Sequence, residues 1–369
     1  MGKQNDKTKS STDPVSELRG RIDDLDRQIQ ELISSRATVA RQMREAKGEL
    51  VSTVDYYRPE REAQVLRGVV ERNEGPLSDG EMVRLFREIM SACLAQQEPL
   101  KIAYLGPEGT FSQSASIHHF GQSIKGLPLN TIEEVFAEVE AADADFGVVP
   151  VENSTEGAVS NTLDMFIASP LKICGEVELR IHQHLLSKAT TLEHVERVYS
   201  HRQSLAQCRG WLHQHLPHAE RIPVASNAEA ARRVRYAEDA AAIAGEAAAE
   251  VYGLNTLFAN IEDRPDNSTR FLVIGRKLLA PSGHDKTSLL VSSQDRPGLL
   301  YHLLDPLAQA GVSMTRIESR PSRQGKWDYV FFIDVAGHSE EEPLAGALRM
   351  LKREASLFKI LGSYPVASV

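Results

Sequence analysis

No C-x-x-C pair occurs in this 369-residue chain, and its three cysteines, Cys93, Cys174 and Cys208, lie far apart. Neither a disulfide framework nor a zinc ribbon is built from such spacing. They are expected as reduced, partly buried thiols of a cytoplasmic protein. Also missing is an apolar run able to cross a bilayer, which takes about 20 residues. The polar, lysine-bearing stretch Met1 to Thr12 has no apolar core segment, so it reads neither as a signal peptide nor as an anchor. Residues 1–13 are expected to be disordered. Excess positive charge is lacking too: 42 Lys and Arg against 51 Asp and Glu give a formal net charge of −9. Nucleic-acid binding usually shows as a basic stripe, so neither nucleic acid nor membrane is expected as a partner. Histidines recur at 118–119, 182, 184, 213, 215 and 218. No matching carboxylate or cysteine cluster accompanies them, so no metal and no cofactor is expected.

What is present suits a soluble globular protein, 41% hydrophobic and 25% charged, with length for two or three domains. The first segment is helical. Leu18, Ile22, Leu25, Ile29 and Leu32 recur at helical spacing, and Val39 and Met43 continue the face. Asp13-Pro14 suits a helix start and Gly48 a helix end. Glu60 to Glu71 and Gly80 to Gln97 give two shorter helices. Three helices so thin make a poor core, and this unit is expected to dimerise. Any one of its cations is most simply part of a solvated face, but the set reads differently. Arg36 and Lys47 share a face, roughly 16 Å apart along the axis, and long side chains from both can close on a small dianion. Arg61 and Glu62 add a third cation and a polar partner. Arg19 stands roughly 25 Å from Arg36, and reaches the same site only from a second chain.

From Leu100 the period changes to short apolar strands alternating with helices, which is α/β grammar. Strands read at 101–105, 146–149, 172–177, 184–187, 197–200, 221–225 and 270–275. Helices read near 112–120, 131–141, 157–168, 203–215 and 227–252, with the alanine run Ala240 to Ala249 read as tight helix packing. Four strand ends share one pattern of small hydroxyl and amide residues. They are Tyr104-Leu-Gly-Pro-Glu-Gly-Thr-Phe-Ser112, Val149-Pro-Val-Glu-Asn-Ser-Thr-Glu-Gly157, Ser200-His-Arg-Gln203 and Asn267-Ser-Thr-Arg-Phe271. Strand ends facing helix starts are where α/β proteins bind ligands.

Those four motifs, in that order, resemble the prephenate dehydratases, and the flanks resemble the bifunctional chorismate mutase/prephenate dehydratase family of phenylalanine biosynthesis. The resemblance runs from about Val15 to Tyr364 and implies three domains. An all-α three-helix mutase domain covers 14–98, and a two-lobed α/β dehydratase domain, like a periplasmic binding protein, covers 100–277. A linker follows at 278–286. The last domain, 287–365, reads βαββαβ, the ferredoxin-like α+β plan. Its Asp295-Arg-Pro-Gly-Leu-Leu300 and Glu318-Ser-Arg-Pro321 are similar to the ACT domain of phenylalanine-regulated dehydratases.

The resemblance also implies roles. In the mutase, Lys47 and Gln97 face the ether oxygen of chorismate, and Arg19 of the partner chain, Arg36, Arg58, Arg61, Glu62 and Cys93 bind substrate. Arg58 stands where an acid can occur, and Cys93 where a serine can. That rearrangement needs a folded conformer and donors to a developing charge, not a nucleophile. In the dehydratase, Thr269 serves the leaving hydroxyl of prephenate, with Asn153 and Gln203 as neutral donors and Thr110, Ser112 and Ser154 orienting carboxylates. Arg270 holds either the pyruvyl carboxylate or a neighbouring acid. Phenylalanine is implied as an allosteric inhibitor at Arg296, Pro297, Gly298, Leu299, Leu300, Glu318, Ser319, Arg320 and Pro321, and a homodimer or higher homo-oligomer as the assembly. Two other readings are a non-catalytic amino-acid sensor, and an arogenate dehydratase whose mutase domain serves only dimerisation.

Overall fold

The computed structural model describes residues 13–47, 57–96, 98–293, 297–321 and 329–367. The chain divides into two units, Met1–Ser52 and Thr53–Val369.

The described part of the first unit is the helix Pro14–Lys47, preceded by Asp13. Asp13 caps it, its carboxylate accepting from Val15 N at 3.2 Å. Leu18, Ile22, Leu25, Ile29, Val39 and Met43 are exposed along it, and Leu32 is 70% exposed. A solvated stripe of this kind does not support a lone helix.

The described part of the second unit begins with the helices Pro59–Glu71 and Asp79–Leu94. The latter starts on a capping box, in which Ser78 and Glu81 exchange side-chain-to-backbone bonds. The pair is tied to the α/β body. Glu88 accepts from Gln122 N at 3.0 Å, Ser91 Oγ from Ser123 N at 3.3 Å, and Arg67 donates to the Ser282 carbonyl.

The body has two lobes. The first contains β1 (Lys101–Leu105), β2 (Lys125–Leu129), β3 (Phe146–Asn153), β4 (Gly157–Ala158) and β5 (Lys172–Arg180). The second contains β6 (His184–Ser187), β7 (Arg197–His201), β8 (Glu220–Val224), β9 (Ala240–Ala244) and β10 (Asn255–Phe258), in the order β10-β6-β9-β7-β8. The chain then returns to the first lobe as β11 (Ser268–Gly275), which inserts antiparallel between β3 and β5. Because β11 comes back, two segments cross between the lobes. They are bonded to each other: Ile181 N donates to Asn267 O at 2.9 Å, and Ile261 N to Gln183 O at 2.8 Å.

The alanine run departs from its expected helix. Ala240–Ala244 is the central strand of the second lobe, and only Glu246–Tyr252 is helical. All five residues from Ala240 to Ala244 are 0% exposed. A strand packed on both faces under close helices requires side chains this small, and helix propensity yields to that packing. The expected helix 227–252 is therefore Asn227–Val234, a strand and Glu246–Tyr252. β2 and β10, short and mostly exposed, fall outside the expected strands, and β4 takes the first two residues of the helix expected at 157–168, which begins at Ser160.

The last 80 or so residues follow the βαββαβ plan: β12 (Asp285–Ser292), helix Leu299–Gln309, β13 (Met314–Pro321), β14 (Tyr329–Ala336), helix Leu344–Glu354 and β15 (Leu357–Pro365). The sheet order is β13-β14-β12-β15, all antiparallel. Its outer face lies on the first lobe. Leu290, Val330, Phe332, Leu361 and Tyr364 share one core with Val151, Phe166, Ile173, Leu272 and Ile274. Backbones nearly touch at Gly362, where a Cβ would lie 2.1 Å from Ile173 O, so only glycine fits. Lys172 and Lys359 close the seam by donating to Ile360 O at 2.8 Å and Phe166 O at 2.9 Å. No described helix is long and apolar enough to cross a membrane.

Candidate functional site

Between the lobes lies a cleft of about 290 Å³. Strand ends and helix starts place its polar groups. Four helices begin at its wall: at Thr110, His201, Ser226 and Gly245. Their free backbone N–H groups and dipoles favour an anion. Among the described residues, no Lys, Arg, Asp or Glu lines the cleft, and His201 contributes an imidazole to its wall. An anion entering the cleft would meet partial charges rather than a formal cation.

Of the residues anticipated here, Thr110, Ser112, Asn153, Gln203 and Thr269 line the cleft together. Asn153 stands opposite Thr269 in the β3–β11 ladder. Its Oδ1 accepts from Thr155 N at 3.0 Å and Glu156 N at 3.2 Å, which fixes the amide orientation. Its Nδ2 donates to Thr269 Oγ1 at 2.8 Å and Asn267 Oδ1 at 2.9 Å. With an oxygen lone pair of Thr269 so occupied, its hydroxyl hydrogen is free to serve a ligand. A ladder bulge beside Arg270 and Phe271 re-aims this strand end. Thr110 caps its helix, accepting from Gln113 N at 3.4 Å and donating to Leu105 O at 3.0 Å.

Ser154 stands behind the cleft wall, donating to Asn267 Oδ1 at 3.4 Å and accepting from Ser268 N at 2.9 Å. Arg270 points to the opposite face of β11. It donates to Glu176 at 2.9 Å and Tyr364 Oη at 3.1 Å, and lies 2.8 Å from Asp334. Of its two alternatives, neighbouring acids are what it meets.

Asn267, which opens the fourth strand-end motif, lines the cleft too, and so do Gln183, Ser204, Gln207 and Asn227, which were not anticipated. Asn227 ties three elements together, donating to Ser204 Oγ at 2.8 Å and accepting from His201 N at 3.1 Å. Ser226-Asn227 repeats the polar strand-end pattern after β8 and so carried a signal. Gln183 carried none: it sits on a crossing segment that only the fold defines.

The residues anticipated for the mutase are distributed as follows. Arg19 and Arg36 are exposed on the helix Pro14–Lys47. The Lys47 side chain, Gln97 and, further on, Arg296 lie outside the described residues. Arg58 donates to Glu60 at 2.8 Å, Arg61 to Gln64 at 3.3 Å, and Cys93 is half-buried. Glu62 lines a second cavity of about 290 Å³ with Tyr57, Arg87, His119 and Cys174. Its carboxylate is 3.7 Å from Arg87 Nε.

Burial pushes the Glu62 carboxyl up to about 7, against the pull of Arg87 and Tyr57. Burial, with Arg87 and His118, pushes His119 down to about 3. The folded state therefore holds a proton on Glu62 that the unfolded chain releases. That contribution to stability is present below 4.5 and lost as pH rises towards 7. Glu62→Gln is expected to raise the melting temperature relative to wild type at pH 8 and not at pH 4. Equal shifts at both pH values in calorimetry would count against a protonated Glu62.

In the C-terminal domain, Gly298 takes a left-handed conformation, φ +78°, at the start of the helix Leu299–Gln309. Pro297 precedes it, and Leu300 is 38% exposed. Glu318, Ser319 and Pro321 lie on β13. Arg320 reaches the first lobe, 3.2 Å from Asp164 and donating to Ser160 O at 3.0 Å. Among the described residues no group of His, Cys, Asp and Glu is arranged to hold a metal ion.

Three family models match the chain: chorismate mutase type II over residues 18–98, prephenate dehydratase over 102–278 and the ACT domain over 287–352. A bifunctional chorismate mutase/prephenate dehydratase of Stutzerimonas stutzeri is 54% identical over 362 residues, covering 97% of this chain and 99% of its relative. A prephenate dehydratase from Arthrobacter aurescens, solved in complex with L-Phe, is 35% identical with a TM-score of 0.67, covering 72% of this chain and 90% of that one. GqqA, described as a novel type of quorum quenching acylase, is 33% identical with a TM-score of 0.68, covering 72% and 98%. These two similar structures thus carry different stated activities, and the fold alone does not fix the reaction.

Proposed function

Since this chain belongs to the family of bifunctional chorismate mutase/prephenate dehydratases, we propose that it converts chorismate to prephenate and prephenate to phenylpyruvate, under inhibition by phenylalanine. The mutase is assigned to 14–98, the dehydratase to 100–277 and phenylalanine control to 287–365. The observation that carries the dehydratase is the 2.8 Å bond from Asn153 to Thr269 in an otherwise neutral cleft.

In that cleft the ring carboxylate of prephenate leaves as CO2. Its bonding electrons enter the ring and expel the 4-hydroxyl, which departs as water after gaining a proton. Thr269 donates a hydrogen bond to the departing oxygen as charge grows there. A threonine is too weak an acid to supply the proton alone, so a water or neighbour relays it. The neutral wall suits this chemistry. A tight arginine on the departing carboxylate would stabilise the ground state more than the transition state. The acylase reading of this fold lacks a matching observation, whereas the Asn153–Thr269 pair serves a leaving hydroxyl directly.

The lobes meet closely beside the cleft. Tyr252 Oη donates to Glu108 O at 2.8 Å, and a Cβ on Gly245 would lie 2.7 Å from Phe111 Cε1. Overpacking of this kind costs about 1–3 kcal/mol. Gly245→Ala is therefore expected to lower dehydratase kcat/KM roughly 10-fold, with mutase turnover unchanged. Unaltered kcat/KM would show that the Phe111–Gly245 contact does not shape the reactive cleft.

The mutase is assigned to Arg36 and Lys47, with Arg19 supplied by a second copy, and the exposed apolar stripe of Pro14–Lys47 favours a dimer. Phenylalanine is assigned to the ACT domain. Gly298 allows close backbone approach at a helix start, and Leu299 and Leu300 offer apolar contact. Glu318 pairs with the ligand ammonium or fixes the loop that does.

The test is purified protein with chorismate, following its loss and phenylpyruvate formation separately, with and without phenylalanine. Both signals, the second suppressed by phenylalanine, are expected. Chorismate loss with no phenylpyruvate, but with turnover of arogenate, would move the second activity to that substrate. Phenylalanine binding with neither turnover would favour a sensor.

A further inference from the structure

Asn153 and Thr269 are one cross-strand pair of the β3–β11 ladder, and Glu152 opposite Arg270 is the next. Side chains alternate across a strand. The first pair faces the cleft, and the second faces the C-terminal sheet. There Arg270 lies 2.8 Å from Asp334 of β14, and Glu152 lies 2.8 Å from Arg316 of β13. Arg316 and Asp334 are themselves opposite each other in the β13–β14 ladder. Two cross-strand pairs, each an acid and an arginine, therefore meet with opposite signs and form a square of four charges.

The square is braced from both sides. Arg270 also donates to Glu176 of β5, which accepts from Lys286 of β12 at 2.7 Å. Asp334 accepts from Ser288 at 2.5 Å, and Ser288 bonds Tyr364 Oη at 2.8 Å. Three corners are well shielded, with side chains of Arg270, Asp334 and Arg316 exposed by 16%, 8% and 15%.

We propose that Glu152 and Arg270 are positioning residues, through which the arrangement of the C-terminal sheet sets the alignment of Asn153 on Thr269. This rests on the dehydratase reading of the cleft. Adjacent residues in a strand are about 3.3 Å apart and joined by a planar peptide. A displaced Glu152 or Arg270 therefore carries its cleft-facing neighbour with it. Removing one partner of a shielded ion pair strands the other charge, so the square holds as a set or rearranges as a set. Glu318 and Ser319 follow Arg316 on the same strand. A ligand engaging that part of β13 moves two corners relative to each other.

A square that only docks one domain on another would alter melting temperature and leave turnover alone. The discriminating experiment uses full-length protein and measures dehydratase kcat and KM, half-inhibition by phenylalanine, mutase rate and melting temperature. The variants are Glu152→Arg, Arg316→Glu, their double combination, and the milder Glu152→Gln and Arg316→Gln. Each charge reversal is expected to lower dehydratase kcat about 10-fold or more with KM little changed, and the double variant, which restores the 152–316 pair but sets like charges opposite Arg270 and Asp334, to recover part of it. The milder variants, which keep size and folding, are expected to shift half-inhibition by roughly 5-fold or more. Wild-type turnover together with unchanged kcat and half-inhibition in the Gln variants overturns the inference alone. So does a folded double variant no better than its parents. Wild-type protein that leaves prephenate intact removes the dehydratase reading, and the inference falls with it.

Discussion

Thr269→Ala is expected to lower dehydratase turnover about 10²- to 10⁴-fold, the range typical of losing a positioned donor or proton-transfer group. Mutase turnover in the same sample should stay at the wild-type rate. The loss should fall on kcat more than on KM, because the hydrogen bond strengthens as the hydroxyl departs and is weak in the ground state. Thr269→Ser keeps the hydroxyl and should retain far more activity than the alanine variant. Asn153→Ala should follow Thr269→Ala in direction. Its Nδ2 sets which way the Thr269 hydroxyl points, and its Oδ1 holds the turn at Thr155 and Glu156. The two losses should be less than additive in a double variant, since each removes the same oriented donor. A folded Thr269→Ala protein with full prephenate turnover, measured by phenylpyruvate absorbance, would remove Thr269 from the reaction.

The cleft residues to which this chemistry is assigned by proposal were legible because strand ends expose their polar groups in short contiguous motifs. Asn153, Gln203 and Thr269 come from three separate motifs, and the fold brings all three to one cleft. Residues on crossing segments, such as Gln183, left no pattern to read. Arg270 shows the limit from another side. Adjacent to Thr269 in sequence, it belongs to the opposite face of β11, and its partners Asp334 and Tyr364 come from roughly 60 to 95 positions later, where only tertiary docking brings them. The βαββαβ order was legible because each helix and strand keeps its own hydrophobic period. Ala240–Ala244 was not, because alanine favours a helix locally, while burial on both faces of a central strand selects its small size.

Mixing Arg19→Ala and Arg36→Ala proteins should restore mutase activity that neither variant shows alone. Each substitution removes a guanidinium from a dianion site and should lower mutase turnover on the order of 10²-fold or more. The two positions stand roughly 25 Å apart along one helix, too far to serve a single small substrate from the same chain. The exposed stripe from Leu18 to Met43 supplies the reason for a second chain to lie alongside. In a heterodimer of the two variants, one site receives both wild-type arginines and the other receives neither. Random exchange makes about half the dimers mixed, so recovery should approach about a quarter of wild-type mutase activity. Dehydratase turnover should be unaffected in the parents and in the mixture, which controls for loss of folded protein. Heterodimers verified by differential tagging that recover no mutase activity would place Arg19 and Arg36 of one chain in a site of that chain alone, or Arg19 in no site.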